Sequence, residues 1–532
     1  MKLTAQHTSV LIVGAGPSGL MMAAQLLRNG VQPLIIDSKQ GPTTQSKALA
    51  VQARSLEIYR QLGVADTVIQ NGKQAQGLIY NQKQEELAKL SVDAIGREQT
   101  LFPYVLVYQQ YKNERVLLDY LTQKCCPVYW NTTFKSAKLV ADRVEIVVTQ
   151  DGEDVALTCD WLIGADGAHS PVRKEFEIPF KGDTYPHLFY LADVVLDENP
   201  GNYLHIHLSE KGFTAFFPMP EENNYRIIGN LPDGLGEDIV LNEVLPSLKA
   251  ITGMTLDIPK CNWFTTYKLH HRMAEKFREG RCFLVGDAAH IHSPIGGQGM
   301  NTGLQDAYNL GWKLAGVVSG QFNAAILDSY AEERIPVAKT LLNTTDRAFN
   351  LMMANNFAAN LFKKKILPRL LKFLWGKEKL REEFFLRISQ LGISYRDSKL
   401  NMHLARGSKI KAGDRLPYLI IFDEKKLTET DLHQWCAQPG FTFIAMGKIA
   451  EMELFSLAKW INHTYPQLLN FYYLPPSPKN QHVFDAFEIT SPRPKTLILR
   501  PDMHIGLIND GINTDIIRNY MDNVMGVLKV KS

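Results

Sequence analysis

The sequence predicts an α/β protein whose nucleotide-binding unit is interrupted by an antiparallel β-sheet and followed by a separate C-terminal unit. Three observations carry this. The stretch SVLIVGAGPSGLMMAAQLL, Ser9–Leu27, reads as strand, glycine turn and helix. Two later stretches, Cys159–Lys174 and Gly280–Ala315, each end an apolar strand on an Asp–Gly or Gly–Asp pair. Between them, residues 181–275 hold short β-rich runs separated by Gly, Pro, Asn and Glu.

The first element is Val10–Val13, an apolar run suited to a buried parallel strand. In the turn, Gly14 permits the tight reversal, Gly16 lets the backbone approach a pyrophosphate, and Gly19 allows close helix–strand packing. Pro17 and Ser18 complete the turn and lead into a helix over Leu20–Leu27. Free N–H groups and the helix dipole at its start favour an anion. A second apolar run, Pro33–Ile36, ends at Asp37, an acid placed to bind a ribose hydroxyl. These elements agree on a dinucleotide and leave open whether it is a nicotinamide or a flavin. Further along, Gly296, Gly297 and Gly299 leave backbone N–H groups bare just before another helix. That helix carries an apolar stripe at Leu304, Ala307, Tyr308, Gly311, Leu314 and Ala315, and its N-terminus offers a positive dipole end.

A chain of 532 residues exceeds one compact core. The divisions read from composition are 1–180 and 276–345 for the two parts of the nucleotide-binding domain, 181–275 for the β-rich insertion, 346–400 for a helical segment and 401–532 for the last unit. A hydrophobic fraction of 45% with 21% charged residues fits a globular protein, and a net charge of +3 argues against nucleic acid as partner. The six cysteines show neither CxxC nor zinc spacing, so no metal is expected and a reducing, cytoplasmic setting is. The opening residues do not read as a signal peptide, and no apolar run reaches the ~18 residues of a membrane span. Residues 358–379 mix Leu, Phe and Trp with Lys and Arg. An interfacial membrane helix and packing on the main domain are both open readings there, with Pro368 expected to interrupt a helix.

The three motifs in this order resemble the flavoprotein aromatic hydroxylases of the para-hydroxybenzoate hydroxylase fold. More narrowly, they resemble the branch that includes phenol and polyketide hydroxylases and carries a C-terminal thioredoxin-like domain. The resemblance implies a Rossmann-like FAD-binding domain, FAD as cofactor and NAD(P)H as a transient co-substrate, since no second nucleotide turn is present. It implies that reduced FAD reacts with O2 to give a flavin hydroperoxide, which passes an oxygen to a phenolic or polyketide-like ring. It assigns Gly14, Gly16, Pro17, Ser18 and Gly19 to the pyrophosphate, Asp37 to the adenosine ribose, and Gln110 and Asp287 to the ribityl chain. Asp166 and Gly167 would meet both FAD and the pyridine nucleotide. Gly286, Pro294, Gly296, Gly297, Gly299, Met300 and Asn301 would surround the flavin ring. Lys47 stands where the family usually has Arg, which leaves the choice between NADH and NADPH open.

No catalytic side chain is assigned. Pro294 is expected beside the reactive face of the flavin as support. His290 and His292 are candidate acid–base groups and equally candidate packed loop residues. Tyr225, His205 and His207 could line the substrate pocket, but strand alternation puts only one face inward and does not say which. The last unit has Cys436 alone, so packing or homodimerisation is expected of it rather than thiol chemistry. None of the seven tryptophans sits in the Trp-x-Trp-x-Ile-Pro run of flavin halogenases. A non-catalytic flavin-binding protein that stabilises a partner or a labile intermediate would carry the same motifs, and turnover would separate it from the hydroxylase.

Overall fold

A computed structural model describes residues 2–45, 48–91, 95–197, 201–232, 234–236, 238–489 and 493–528. The apolar run after Thr8 forms a strand at His7–Val13, the glycine turn follows, and a helix occupies Pro17–Arg28 with Gly16 at its N-cap. This strand is the centre of a parallel sheet. Its neighbours are Leu34–Ile36 and then Val128–Tyr129 on one side, and Glu153–Gly164 and then Cys282–Leu284 on the other. Strands Thr132–Val140 and Arg143–Gln150 extend Glu153–Gly164 as an antiparallel arm.

The inserted sheet is built on two long strands, Phe180–Val195 and Lys260–Ala274, paired antiparallel. Asn224–Asn230, Gly212–Pro218 and Leu204–Ser209 continue it. The sheet also takes in Gly77–Gln82 and Glu85–Ser91, which lie outside residues 181–275 in the chain. One face is covered by the helix Leu241–Thr252 through Val244 and Leu248. The other face meets Phe349, near the end of the long helix Asp328–Met353.

The helix Gly299–Val318 is buried on every side, including Asn301–Gly316 throughout, where the sequence pattern indicated only a stripe. Beyond residue 346 the chain is helical to Met353 and again over Phe357–Leu361, Leu367–Trp375 and Glu378–Ile388. Pro368 lies at the start of a helix, Leu367–Trp375, and does not end the helical path. A π-helical turn at Phe362–Ile366 precedes it and accommodates the missing N–H. Among the described residues no helix is long and apolar enough to cross a membrane.

The C-terminal unit holds a five-stranded mixed sheet. Its order is Met402–His403, Ile505–Asp510, Lys495–Leu499, Phe441–Met446, Leu469–Leu474. The turn Arg500–Met503, between two of these strands, inserts into the helices of the first domain. Arg500 donates to both oxygens of Glu333 at 2.6 and 2.9 Å and also pairs with Asp502. Lys313 donates to Glu333 at 2.7 Å, Trp312 to Asp502 at 3.1 Å, and Arg54 to the Asp502 carbonyl at 2.9 Å. All of these side chains are buried. Burial opposes ionisation of Glu333, but the Arg500 and Lys313 cations outweigh it and hold its carboxyl far below the usual range.

Removing one partner of a buried, hydrogen-bonded ion cluster leaves an uncompensated charge, a loss of about 3–5 kcal/mol. Arg500→Leu is expected to lower unfolding stability by that amount in chemical denaturation. Lys399→Ala, which removes an exposed pair with Glu332 on the same long helix, is expected to leave the transition unmoved.

Candidate functional site

The three motifs meet because their strands are neighbours. Val13 pairs with Gly164, and Gly164 with Leu284. The glycine turn, the Asp166–Gly167 pair and the Gly286–Asp287 pair therefore leave the carboxyl ends of adjacent parallel strands, the edge where α/β sheets bind ligands.

The glycines of the first turn do different work. Gly14 has φ +106°, and a Cβ there would lie 2.3 Å from the Ala165 carbonyl oxygen. A Cβ on Gly19 would lie 1.9 Å from the Gly14 oxygen, so both positions are closed to side chains by packing. A Cβ on Gly16 would meet nothing within 4 Å, and this is the open side that a phosphate could approach. Pro17 takes the first helical position. Ser18 Oγ sits where a Cβ on Gly286 or Gly303 would come within 2.2 or 2.3 Å of it. Its hydroxyl thus packs the first helix against the second motif and the buried helix, leaving the backbone N–H to face an anion.

Asp37, Asp166 and Asp287 lie just past the ends of their strands. Asp37 is buried and accepts from the Ala15 N–H at 2.7 Å and the Lys39 N–H at 2.8 Å, which ties the second strand to the glycine turn. Asp166 accepts from the Val172 N–H at 2.9 Å through one oxygen, while its other oxygen is buried without a partner. Burial raises its carboxyl above the usual range. Asp287 keeps an exposed face, yet the surrounding protein withholds enough water to raise its carboxyl too, against the opposing influence of His290. Gln110 opens the helix Gln110–Gln123 and donates to one oxygen of Glu114 at 2.9 Å, and the other Glu114 oxygen is buried without a partner. The unpartnered oxygens of Asp166 and Glu114 are buried acceptors of the kind a hydroxyl-rich ligand satisfies.

The loop before the buried helix is held from the far side. Gly297 has φ +61°, and a Cβ there would lie 2.7 Å from Ala50 Cβ. Gln52 donates to the Gly296 carbonyl at 2.9 Å, and the Pro294 carbonyl accepts from the Gly297 N–H. Pro294 itself is exposed. The Asn301 amide is saturated: its oxygen accepts from the Gln52 N–H and Ser55 Oγ, and its nitrogen donates to the Ala50 and Gly297 carbonyls. Any contact from Asn301 to a ligand would run through its main chain. Gly299, Met300 and Asn301 are the first three residues of the helix, and their N–H groups have no carbonyl one turn back. Lys47 lies outside the described residues.

Behind this loop Asp306 accepts from the Gly286 N–H at 3.1 Å, His290 Nε2 at 2.7 Å and Arg334 Nε at 2.7 Å. Burial opposes its ionisation, but Arg334 and His290 prevail and keep its carboxyl low. His290 is thus a buried bracket, stacked on Phe277, and not an acid–base group facing the cleft. His292 bonds the Ser293 carbonyl through Nδ1, and burial depresses its pKa to about 4, so its ring is neutral near pH 7. Sequence reasoning missed Gln52, Asp306 and Arg334. Each sits in a stretch that reads as an ordinary polar helix or helix entry.

Strand pairing decides the face of the inserted sheet. Leu204 and Phe217 pack against Leu49 and Val107 of the nucleotide-binding domain. Tyr225, His205 and His207 alternate to the opposite face, where Tyr225 and Phe216 lie under Leu241–Thr252 and His207 meets the Phe216 ring edge-on. These three residues therefore do not line the face turned toward the motifs.

Comparison with known proteins agrees with this geometry. A family model described as an FAD binding domain matches residues 7–345. A 6-methylpretetramide 4-monooxygenase of Streptomyces rimosus is 35% identical over 413 residues, 76% of this chain and 73% of that protein. A pentachlorophenol 4-monooxygenase of Sphingobium chlorophenolicum is 32% identical over 422 residues, 77% of this chain and 75% of that protein. Among solved structures, an anhydrotetracycline hydroxylase of Streptomyces rimosus superimposes with a TM-score of 0.79 at 25% identity, covering 98% of this chain and 100% of that one.

Charge-assisted hydrogen bonds are worth roughly 1.5–3 kcal/mol. Asp287→Ala is accordingly expected to weaken FAD binding at least ~ten-fold in a titration of apoprotein, with the fold intact. Asn301→Ala should instead lower thermal stability, because it orphans buried donors and carbonyls. A second outcome follows from His207 and His292, both depressed by burial from 6.5 to about 4. Between these values the unfolded chain binds protons that the folded chain refuses. Stability should therefore fall as pH drops from 6.5 toward 4, and a His207→Asn variant should lose less of it over that window in pH-dependent unfolding curves.

Proposed function

We propose a function from one premise: the chain belongs to the FAD-binding domain family. Its cofactor is FAD, and it acts as an FAD-dependent monooxygenase that uses NAD(P)H and O2 to hydroxylate an aromatic, phenolic or polyketide-like ring. The observation that carries this reading is the meeting of three motifs at one sheet edge, opposite an apolar sheet face. The monooxygenase names of its relatives support it.

When bound, FAD supplies the redox chemistry, taking reducing equivalents from NAD(P)H and activating O2. The chain's residues bind, orient and exclude water. The open side of Gly16 and the N–H groups of the first helix would hold the pyrophosphate, with Asp37 at the adenosine ribose. Asp287 and Gln110 would take the ribityl hydroxyls, and Asp166 with Gly167 would lie where cofactor and nicotinamide approach. The N–H groups of Gly299, Met300 and Asn301, at the positive end of a 20-residue helix, would stabilise negative charge on the reduced ring. Gly286, Gly296, Gly297 and Pro294 would shape the loop around it. Leu204, Ile206 and Phe217 keep the opposite wall dry and suit a flat apolar substrate. With His290 bracketed and His292 neutral, positioning and desolvation are the main contribution of the protein.

The C-terminal unit fits a thioredoxin-like domain in its mixed sheet. Its one cysteine, Cys436, is buried, and burial pushes its thiol pKa far up, which supports a packing role. Exposed Met452 and Phe455, on the helix Glu451–Thr464, give this unit an apolar face suited to homodimerisation.

In this reading NAD(P)H oxidation is slow alone and at least ~ten-fold faster with a fitting phenol, a barrier change of ~1.4 kcal/mol. Labelled O2 should place one oxygen atom in the product by mass spectrometry. Phenols and polycyclic aromatics that bind beside the flavin and never gain oxygen would replace this reading with a non-catalytic one.

A further inference from the structure

The segment of residues 357–379 is anchored on one side and bare on the other. Leu367 and Leu371 pack with Tyr80, Phe213 and Phe349 against the inserted sheet. Trp375 Nε1 donates to the Ser91 carbonyl at 3.2 Å. Lys363 is buried and its ammonium donates to the Met352 and Ala354 carbonyls, closing the end of the long helix. The outward side is different. Ile366, Leu370 and Phe373 recur at i, i+4 and i+7 and form one row, with exposures of 49, 40 and 61%. Phe357, one helix earlier, is 86% exposed.

Lys365, Arg369 and Lys372 form the adjacent row, also exposed, and Lys364, Lys377 and Lys379 extend it. Glu378 is the only acid between residues 357 and 379. Glu382 and Glu383, on the following helix, are accompanied by Arg381 and Arg387. An aliphatic and aromatic row flanked by lysines on a convex helix matches a bilayer surface: apolar side chains enter the acyl boundary while long cationic stems reach anionic headgroups. Neither the apolar row nor the charge suffices alone for stable attachment, and both are present here.

We propose that residues 357–379 dock this protein on an anionic membrane surface, lying in the interface without crossing it. The docked helix is the one that covers the inserted sheet, so the apolar side of the molecule that holds the substrate wall would rest near the lipid.

The test is sedimentation of the full-length, FAD-loaded protein with vesicles. Phosphatidylcholine vesicles containing phosphatidylglycerol should carry it down, high salt should release it, and pure phosphatidylcholine should not bind it. A Leu370→Ser/Phe373→Ser variant and a Lys365→Glu/Arg369→Glu/Lys372→Glu variant should each bind at least ~ten-fold more weakly. Both should keep the melting temperature and the turnover of a water-soluble phenol, since these side chains are outside the core and the cofactor site. Absence of vesicle binding, equal binding to neutral vesicles, or binding untouched by either variant overturns the proposal. So does self-association in lipid-free solution that Leu370→Ser/Phe373→Ser abolishes, which would assign the face to a second copy.

Discussion

Two consecutive residues on one helix, Glu333 and Arg334, neutralise charges that the rest of the molecule is built around. Arg334 reaches Asp306, and Asp306 in turn holds the Gly286 N–H and His290. Glu333 reaches Lys313 and Arg500. Successive helical residues diverge by roughly a quarter turn, so one dipeptide serves two buried partners in different directions. One direction fixes the loop that ends the Gly–Asp motif, and the other fixes the C-terminal unit. Neither acid could remain ionised at such depth alone. The cation beside each is a condition of the fold as much as a stabilising contact.

This arrangement separates the residues that shape the cleft from those that face it. Gly14, Gly19, Ser18 and Asn301 spend their special properties on packing: no room for a Cβ, a hydroxyl wedged between glycines, an amide with every valence used. Gly16 leaves open space where a side chain would be, Asp166 keeps an unpartnered oxygen, and Asp287 keeps an exposed face. A motif read as a ligand signature is therefore partly a folding signature. The two uses cooperate, because the packing residues hold the outward-facing ones at the carboxyl ends of three adjacent strands.

Much of this was legible in the amino-acid order. The glycine turn and both Asp-containing pairs declare themselves through local chemistry, where Gly appears at a sharp change of hydrophobic pattern. What stayed hidden depended on partners distant in sequence. Tyr225, His205 and His207 alternate correctly along their strands, but only the pairing with neighbours and the helix Leu241–Thr252 decides which face is inward. The stretch Ala331–Lys339 reads as a charged surface helix, since nothing local reveals that Arg500 will arrive to bury Glu333. Gln52 and Asp306 are hidden for the same reason. Which side of residues 357–379 is buried depends on Leu367 and Leu371 packing against the sheet, a contact with no local signal.

The insertion of the Arg500–Met503 turn among the helices of the first domain bears on how the chain is made. Glu333 and Arg500 are 167 residues apart. During synthesis the segment carrying Glu333 emerges from the ribosome well before the arginine that completes its charge balance. Until then the carboxylate between the helices Gly299–Val318 and Asp328–Met353 has Lys313 as its one cation, beside the neutral donors Asn309 and Ser398. The amino-terminal domain therefore reaches its final packing only after residue 500 has been translated. The charge balance at Glu333 thus couples the completion of the nucleotide-binding half to the arrival of the C-terminal unit.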